Sequence, residues 1–467
     1  MEENNTNTIA EQDKEFEDSE DRIFEMLEEH KYFECRDELL ERDEVEMTEI
    51  LEDVIRDFGM NMAIILFRTL PKDSAVEVFS RFSKDNQLAI IDIITDAEIK
   101  NIVEELDFDD KIDVLEEMPS NLVDKILEKT PASERKLINT FLMYKEDSAG
   151  SLMTPDYINL RKNMTVREAL DHIKDVGLES ETIYTCYVLE KGRKLEGIVS
   201  LRTLVISDYN ARISDIMRED IIYVHVNDDQ EEVADIFRRY GFLAIPVVDN
   251  ERRLVGIITI DDILDVMEEE TTEDIERMGG VIDAHNREYL DISIWGHVKA
   301  RLPWLLLLMC SYFITGGIIA SFEQTLSKVI SLVIYMPMLM GTGGNSGSQS
   351  STLIVRGMAT GDIDTGDWLK VAWKEIRIGL IIGICVSIIN VIRIIFLDHN
   401  SLGVALTVSC SMTLVVIFAK LIGASLPMLA KKIGIDPALM AGPMMSSITD
   451  MISLLTYFLM AMLFLGI

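Results

Sequence analysis

The sequence has little of what marks several common classes of protein. Its cysteines are few, and their spacing matches no disulfide framework or zinc site, which predicts free, buried thiols in a reducing cytosol. The five are Cys35, Cys186, Cys310, Cys385 and Cys410. Residues 1–22 contain neither a basic segment nor an apolar core. We therefore expect no cleavable signal peptide there, but a disordered acidic tail. No nucleophile, base and orienting residue form a recognisable set, which argues against an enzyme.

Positive charge is also scarce, and it is unevenly distributed. The chain of 467 residues has 44 Lys and Arg against 81 Asp and Glu, for a net charge of −37. Of these, 73 acids and 35 bases precede Pro303, so that the first 302 residues carry about −38. Nucleic acid and anionic lipid would be repelled by this part of the chain, which argues against both as its partners. Cations are its natural counterpart.

A repeat of twelve residues runs from 67 to 138, beginning with FRTLPKDSAVEV and FSRFSKDNQLAI. Apolar residues recur at the first, fourth and last places, and Pro, Ser or Asp near the fifth place is typical of a helix start. Each unit is predicted to be one short helix and a turn. Stacked units would form an all-α superhelical N-terminal domain over 23–147, for which a scaffold without chemistry of its own is the simplest interpretation.

A longer repeat of about 60 residues follows, with copies at 148–211 and 212–260. Each copy predicts a short strand, an amphipathic helix, two strands joined by a polar turn, and a second helix. With GIVS at 197–200 and GIITIDD at 256–262, the repeat resembles a tandem pair of CBS domains, an α/β regulatory module that often binds adenine nucleotides.

That resemblance implies a nucleotide site only in part. In nucleotide-binding members, a Ser or Thr followed three places later by Asp holds the ribose, and the second copy has Thr259 and Asp262. The first copy has Ser200 and Thr203 instead, and so lacks the acid. ATP is the implied regulatory ligand, and a purely structural pair is the alternative.

Residues 260–278 hold nine acids and one base, Arg277, with apolar residues at a helical period. A solvated helix face is the ordinary meaning of such a run. Like charges at i, i+3 and i+4 oppose a helix, however, unless something neutralises them. We therefore expect 261–300 to form an acidic connecting helix that binds divalent cations. The candidate metal ligands are Asp261, Asp262, Asp265, Glu268, Glu269, Glu270, Glu273 and Asp274.

The remainder, 301–467, contains five apolar stretches long enough to cross ~30 Å of hydrocarbon. They lie near 303–322, 326–345, 378–397, 402–430 and 440–467. Lys and Arg cluster before the first stretch, between the second and third, and between the fourth and fifth. The positive-inside rule then predicts a multi-pass protein of the cell (inner) membrane with its N-terminal region in the cytoplasm and its C-terminus outside. Arg393 and Lys420 are expected to snorkel towards an interface.

One acid, Asp450, lies about ten residues into the last stretch, ~15 Å deep at the helical rise. An acid there costs ~3 kcal/mol or more unless it faces water or a cation, so a functional role is expected. A neutral carboxyl hydrogen-bonded within the bundle is the alternative.

The glycine-rich end of the second stretch, PMLMGTGGNSGSQ at 337–349, predicts a broken helix whose bare backbone lines an aqueous path. Close helix packing through the glycines is the alternative. The candidate pore-lining residues are Pro337, Gly343, Gly344, Asn345, Ser346 and Thr449.

The order of these parts resembles the MgtE family of magnesium channels and transporters, over nearly the whole chain after the tail. The residues that carry this resemblance are 337–349, DPAL at 436–439, Gly442-Pro443 and Thr449-Asp450. It implies a homodimer whose paired second and fifth helices line one pore. Asp450 would then hold hydrated Mg²⁺, and the connecting helix would be a gate plug that cytosolic Mg²⁺ closes.

Several alternatives stay open at this point. The same oxygen ligands accept Mn²⁺, Co²⁺ and Ni²⁺, so a carrier for another divalent cation is possible. A channel is not distinguished from a carrier. A membrane-anchored CBS sensor without transport activity is a further interpretation, in which Asp450 would be a packing residue.

Overall fold

The computed structural model describes residues 16, 19–178, 180–281, 289 and 292–466. The chain divides into two compact units, residues 1–267 and 268–467. The predicted multi-domain architecture of an all-α domain, an α/β CBS pair and a set of long apolar helices is confirmed. The expected tail is helical over 19–22, and most of its other residues lie outside the described ones.

The first unit opens with a helical array that follows the twelve-residue repeat. Its helices are α1 Tyr32–Leu39, α2 Glu44–Phe58, α3 Met60–Phe67, α4 Lys72–Arg81, α5 Lys84–Ile93, α6 Asp96–Glu105, α7 Phe108–Glu117, α8 Ser120–Lys129 and α9 Ala132–Phe141. From α4 to α9 each helix has ten residues. Thr95 and Glu98 form a capping box at the start of α6, while Pro119 precedes α8. Such start signals recur along the chain, so each helix ends after about three turns, before the next one begins. This gives the array its regular period.

The CBS pair forms two three-stranded sheets in the orders β1-β2-β3 and β4-β5-β6. The first copy contains β1 Tyr157–Leu160, α10 Val166–Val176, β2 Thr182–Leu189, β3 Leu195–Ser200, α11 Leu201–Ile206 and α12 Ile213–Ile216. The second contains β4 Val224–His225, α13 Gln230–Tyr240, β5 Ala244–Val248 and β6 Leu254–Thr259. In each sheet the first pair of strands is parallel and the second antiparallel. The copies are joined by bridges such as Thr154 to Ile257.

The acidic run forms α14, Ile260–Gly279, which begins directly at the end of β6. It is therefore the last helix of the second CBS copy, continued by more than two turns. Residues 282–288, 290 and 291 of the expected connecting segment lie outside the described residues.

Five long helices follow: α15 Ile294–Ser321, α17 Ser331–Ala359, α18 Trp368–Phe396, α19 Leu402–Lys432 and α20 Gly442–Leu465. A short α16, Glu323–Lys328, lies between the first two. Among the described residues, four segments are long and apolar enough to cross a membrane, namely Ile294–Ser321, Thr365–Phe396, Leu402–Lys432 and Pro437–Leu465. Helix α17 is as long as the others, but small polar residues fill its second half.

Helix α17 corrects the prediction of a broken helix. It is continuous through Pro337 and through the whole glycine-rich stretch to Ala359. The carbonyl groups of the glycine-rich stretch therefore bond within the helix and are not free to line a path. The glycines have a packing role instead, as their neighbours show below.

Candidate functional site

The glycines of α17 let two other helices approach its backbone. A Cβ atom at Gly347 would lie 3.0 Å from Thr449 Cγ2, and one at Gly344 would lie 3.3 Å from Ser446 Oγ. Across the other contact, a Cβ atom at Gly423 of α19 would overlap the carbonyl oxygen of Gly347. Close contact of this kind is typical of small residues at helix crossings in membranes. Gly347 thus marks a layer in which α17, α19 and α20 meet.

Asp450 lies next to this layer. It is the ninth residue of α20, one position after Thr449, and its side chain is half-buried. The local sequence sets the start of α20, and with it the position of Asp450 along the helix. Asp436 accepts a hydrogen bond from the Ala438 amide at 2.7 Å in the turn before α20, and Pro443 lies in the first turn of α20. Among the described residues, no hydrogen bond or ion pair to the Asp450 carboxylate is present. If Asp450 were instead a neutral carboxyl group with a packing role, we would expect it to be hydrogen-bonded to a neighbouring helix.

The other predicted pore-lining residues divide between two environments. Gly343, Gly344, Ser346 and Thr449 are buried within the single chain. Thr449 bonds to the backbone of its own helix, with Oγ1 donating to the Met445 carbonyl at 2.9 Å.

By contrast, Pro337 and Asn345 are exposed, as is Gly341 between them. These positions are four residues apart, so they follow one face of α17. A second surface would have to cover that face if Asn345 lines a path.

One of the two charged residues that were expected to snorkel departs from that prediction. Lys420 does not snorkel to an interface; it is 4% exposed, and its Nζ donates to Ser350 Oγ at 3.3 Å. Ser350 in turn donates to Glu375 Oε2 at 2.6 Å. Arg393 is half-exposed near the end of α18, with Nε 3.8 Å from Asp398. Sequence reasoning missed the buried network of Lys420, Ser350 and Glu375 because its three members come from three different helices.

The cysteines are free thiols, as expected. Cys35 and Cys186 are buried, whereas Cys310 and Cys385 are exposed on the surface of apolar helices. The expectation that all five would be buried is wrong for Cys310 and Cys385, because an apolar helix that faces lipid needs no protein around its side chains. Cys410 is only partly buried.

A second group of acids lies in the first unit, where α7 and the CBS pair contribute carboxyl groups. Burial, with the charge of Asp109 next in size, raises the pKa of Asp110 and of Asp262 to about 7. Burial also raises the pKa of Asp109 to about 6. Burial and then the charges of Asp109 and Asp107 raise the pKa of Glu181 to about 8. These carboxyl groups lie in one region of negative potential, and a bound cation there would reduce the repulsion between them.

Sequence analysis singled out Asp262 as a candidate ligand but missed Asp109, Asp110 and Glu181. The run EELDFDD at 104–110 was the available signal. Those acids lie within the twelve-residue repeat, and nothing local indicates that they approach the CBS pair.

The later acids of α14 belong to the second unit. Arg277 pairs with Glu273 of its own helix and with Asp436, which precedes α20. Burial, and after it the charge of Asp436, raises the pKa of Asp274. The end of α14 also lies against α20, since a Cβ atom at Gly442 would overlap the Met278 carbonyl oxygen. The end of the acidic helix therefore contacts the start of the helix that carries Asp450.

The remaining predicted metal ligands do not converge. Asp261, Asp265 and Glu268 are exposed on α14, while Glu269 and Glu270 are partly buried. Over the described ranges 16, 19–178, 180–281, 289 and 292–466, no three His, Cys, Asp or Glu side chains are close enough to hold a metal ion. The assignment of these carboxylates as metal ligands stays a prediction.

The candidate ribose-binding pair of the CBS domains is formed. Thr259 Oγ1 donates to Asp262 Oδ2 at 2.8 Å. In the first copy the corresponding bond joins the Ser200 and Thr203 hydroxyl groups, at 2.9 Å. The two copies thus share one geometry and differ in one carboxylate.

Comparison with known proteins gives consistent matches along the chain. The family profile MgtE, described as a divalent cation transporter, matches residues 336–460. The MgtE intracellular N domain matches 44–147, and the CBS domain matches twice, at 149–207 and 213–269.

Two similar proteins span most of the chain. The magnesium transporter MgtE of Thermus thermophilus is 37% identical over 407 residues, which are 86% of this chain and 89% of that protein. The magnesium transporter MgtE of Bacillus subtilis is 32% identical over 391 residues, which are 83% and 85% of the two chains.

Among solved structures, the cytosolic domain of the Mg²⁺ channel MgtE in complex with ATP matches with a TM-score of 0.49 and 33% identity, over 52% of this chain and 98% of its own. The soluble part of a magnesium transporter matches with a TM-score of 0.49 and 30% identity, over 55% and 99%.

Proposed function

The chain belongs to the MgtE family of divalent cation transporters, and on that premise we propose that it carries Mg²⁺ across the cell membrane through a channel whose ion-binding carboxylate is Asp450. It is a membrane protein and not an enzyme. The observation that carries the proposal is the half-buried Asp450 side chain, which has no protein partner among the described residues and lies beside the layer of close helix contacts at Gly347.

The chemistry of that position suits a hydrated ion. Mg²⁺ sheds its waters reluctantly and prefers octahedral oxygen ligands, so few carboxylates and many neutral oxygens are needed. Asp450 supplies the charge, and Asn345 supplies an amide on the exposed face of α17. Mn²⁺ and Co²⁺ would use the same oxygens, so Mg²⁺ is proposed over them on the names of the relatives.

The pore is proposed to form between two copies of the chain. The face of α17 with Pro337, Gly341 and Asn345 is exposed in one chain, although it contains the polar side chain expected in the pathway. A second copy related by two-fold symmetry would cover it with the same face. The N-terminal region is proposed to lie in the cytosol and the C-terminus outside.

Cytosolic Mg²⁺ is proposed to close this pore through the acids of the CBS region and α14. Burial and mutual repulsion raise the pKa of Asp110, Glu181 and Asp262, so the compact arrangement is costly without a counter-ion. A divalent cation between such carboxylates replaces repulsion with attraction and favours the compact state. The contact of Arg277 with Asp436 connects the end of α14 to the start of α20. The transported ion would then close its own pathway.

Flux into liposomes tests the transport proposal. The purified chain should admit Mg²⁺, reported by an indicator inside the liposomes, and Asp450→Asn should lower the rate about tenfold or more, since one lost ion contact of 1.4 kcal/mol already gives that factor. Ser446→Ala is the matched control, because Ser446 is one turn earlier and donates to the Gly442 carbonyl of its own helix. Wild-type flux in Asp450→Asn would reject Asp450 as the pore carboxylate. Flux of Mn²⁺ or Co²⁺ in place of Mg²⁺ would favour the alternative carrier.

A second proposal is that the CBS pair binds ATP, chiefly through its second copy. The hydrogen bond from Thr259 to Asp262 orients the carboxylate that would bind the ribose hydroxyl groups. Calorimetry on the full-length protein should show ATP binding that Asp262→Ala abolishes. Thr203→Ala, the corresponding position of the first copy, should leave it unchanged. Equal binding in Asp262→Ala would reject this site in favour of a purely structural pair.

A further inference from the structure

The five long helices contain two acids, Glu375 and Asp450, and they differ in what surrounds them. Glu375 is 8% exposed and accepts a hydrogen bond from Ser350, which in turn accepts one from Lys420. Asp450 is half-buried and has no such partner among the described residues. One acid is therefore matched by a buried cation and the other is not.

Burying charged groups between apolar helices is costly unless opposite charges are kept together. Ser350 and Lys420 are 1% and 4% exposed, and in the described part of the chain neither Glu375 nor Lys420 has an oppositely charged side chain within 4 Å. The hydroxyl group of Ser350 lies between the carboxylate and the ammonium group and joins them. The three groups form a closed unit with no net charge.

This unit lies close to the proposed pathway. Ser350 is one helical turn after Gly347, and Lys420 is nearly one turn before Gly423, so the network adjoins the closest contact between α17 and α19. Gly347 also lies against Thr449, the neighbour of Asp450. In a medium of low dielectric constant, an unmatched charge at Glu375 or Lys420 would act on an ion near Asp450.

We propose that Lys420 and Glu375 are positioning residues for cation transport: Lys420 cancels the field of Glu375, so that Asp450 is the one uncompensated carboxylate that an ion meets among the five long helices. Ser350 holds the pair together and ties it to α17. This inference rests on the proposed transport function.

The test measures initial rates of Mg²⁺ uptake by liposomes containing the full chain, against external Mg²⁺, to obtain KM and the maximal rate. Lys420→Met leaves an extra negative charge and should lower KM, while Glu375→Gln leaves an extra positive charge and should raise it, each by roughly three- to tenfold. The double variant Lys420→Met/Glu375→Gln has no net charge, like the wild type, and should return KM to within about twofold. Lys420→Arg should retain the wild-type KM.

Opposite shifts in KM separate an electrostatic role from a merely structural one, since loss of packing would lower the maximal rate without reversing the sign. If Lys420→Met does not fold, Glu375→Gln and the double variant decide the question, because the second must restore the KM that the first raises. Unchanged KM in these variants, or a double variant no better than either single one, would overturn the inference while leaving the transport function intact. A wild-type chain that admits no Mg²⁺ would instead overturn both.

Discussion

Gly423 and Gly316 both belong to long apolar helices, but their surroundings differ. A Cβ atom at Gly423 would overlap the Gly347 carbonyl oxygen, whereas nothing lies within 4 Å of one at Gly316. Gly423→Ala should therefore push α19 away from α17 and destabilise the protein by about 1–3 kcal/mol, the usual cost of overpacking. Gly316→Ala should be neutral or slightly stabilising, since alanine favours a helix.

Thermal denaturation of the solubilised protein, followed by the loss of its elution peak, measures this pair of variants. Gly423→Ala should also lower Mg²⁺ flux, because the same layer holds Thr449 beside Asp450. Equal stability of the two variants would mean that α17 and α19 are not in close contact, and the packing role given to the glycine-rich stretch would then be wrong.

At the scale of single elements, helix α14 is the candidate sensor. Replacement of Glu268, Glu269, Glu270, Glu273 and Asp274 by Gln or Asn should abolish the closure of the pore by cytosolic Mg²⁺, because bridged carboxylates are what the ion stabilises. A change from mostly open to mostly closed needs ~5.5 kcal/mol of preference for the closed state, so several weak sites must act together. Single replacements should have small effects.

Two measurements check this. Flux at low and millimolar internal Mg²⁺ reports closure, with Glu232→Gln/Asp235→Asn on α13 as a control for general loss of negative charge. Limited proteolysis of 260–300 reports compaction, and millimolar Mg²⁺ should protect the wild type. Cleavage at the same rate with and without Mg²⁺ would show that the acidic helix is not the sensor.

Across the whole molecule, the excess of acids makes stability depend on pH. The pKa values of Asp110 and Asp262 are raised from 3.8 to about 7, and that of Glu181 from 4.5 to about 8. At a pH between the ordinary and the raised pKa values, these carboxyl groups are protonated in the folded chain and ionised in the unfolded chain. The free energy of unfolding therefore falls as pH rises from about 4 to about 8. Without divalent cations the first unit should be more stable at pH 5.5 than at pH 8.5.

Mg²⁺ should restore the stability that the first unit loses at high pH. It should stabilise this unit more at pH 8.5 than at pH 5.5, because it binds the ionised carboxylates. Hydrogen exchange of peptides that contain Asp110 and Glu181, in the full chain, measures the effect locally. Glu181→Gln should flatten the pH dependence, since an amide does not titrate in this range. Protection that increases with pH in metal-free buffer would contradict the prediction.

Much of this protein follows from its sequence because the signals are local. The twelve-residue period predicts the helices from α4 to α9, since each start and end is set by residues within the same unit. The order of strands in the two CBS copies follows from alternating patterns and turns in the same way. Apolar length predicts four of the five expected spans, whereas α17 is not apolar enough to be one of the four. The cost of a charge in hydrocarbon singles out Asp450.

Only the tertiary structure decided what depends on contacts between distant segments. The continuity of α17 depends on neighbours that glycine lets approach, so that the helix packs where its sequence suggests a break. Lys420 is buried because Ser350 and Glu375, from two other helices, meet it there. The charge of Asp109 raises the pKa of both Asp262 and Glu181 because the fold brings α7 to the CBS pair. A sequence pattern reflects the environment created by residues nearby in the chain. These contacts instead join residues more than 20 positions apart, and they form only when the elements pack together.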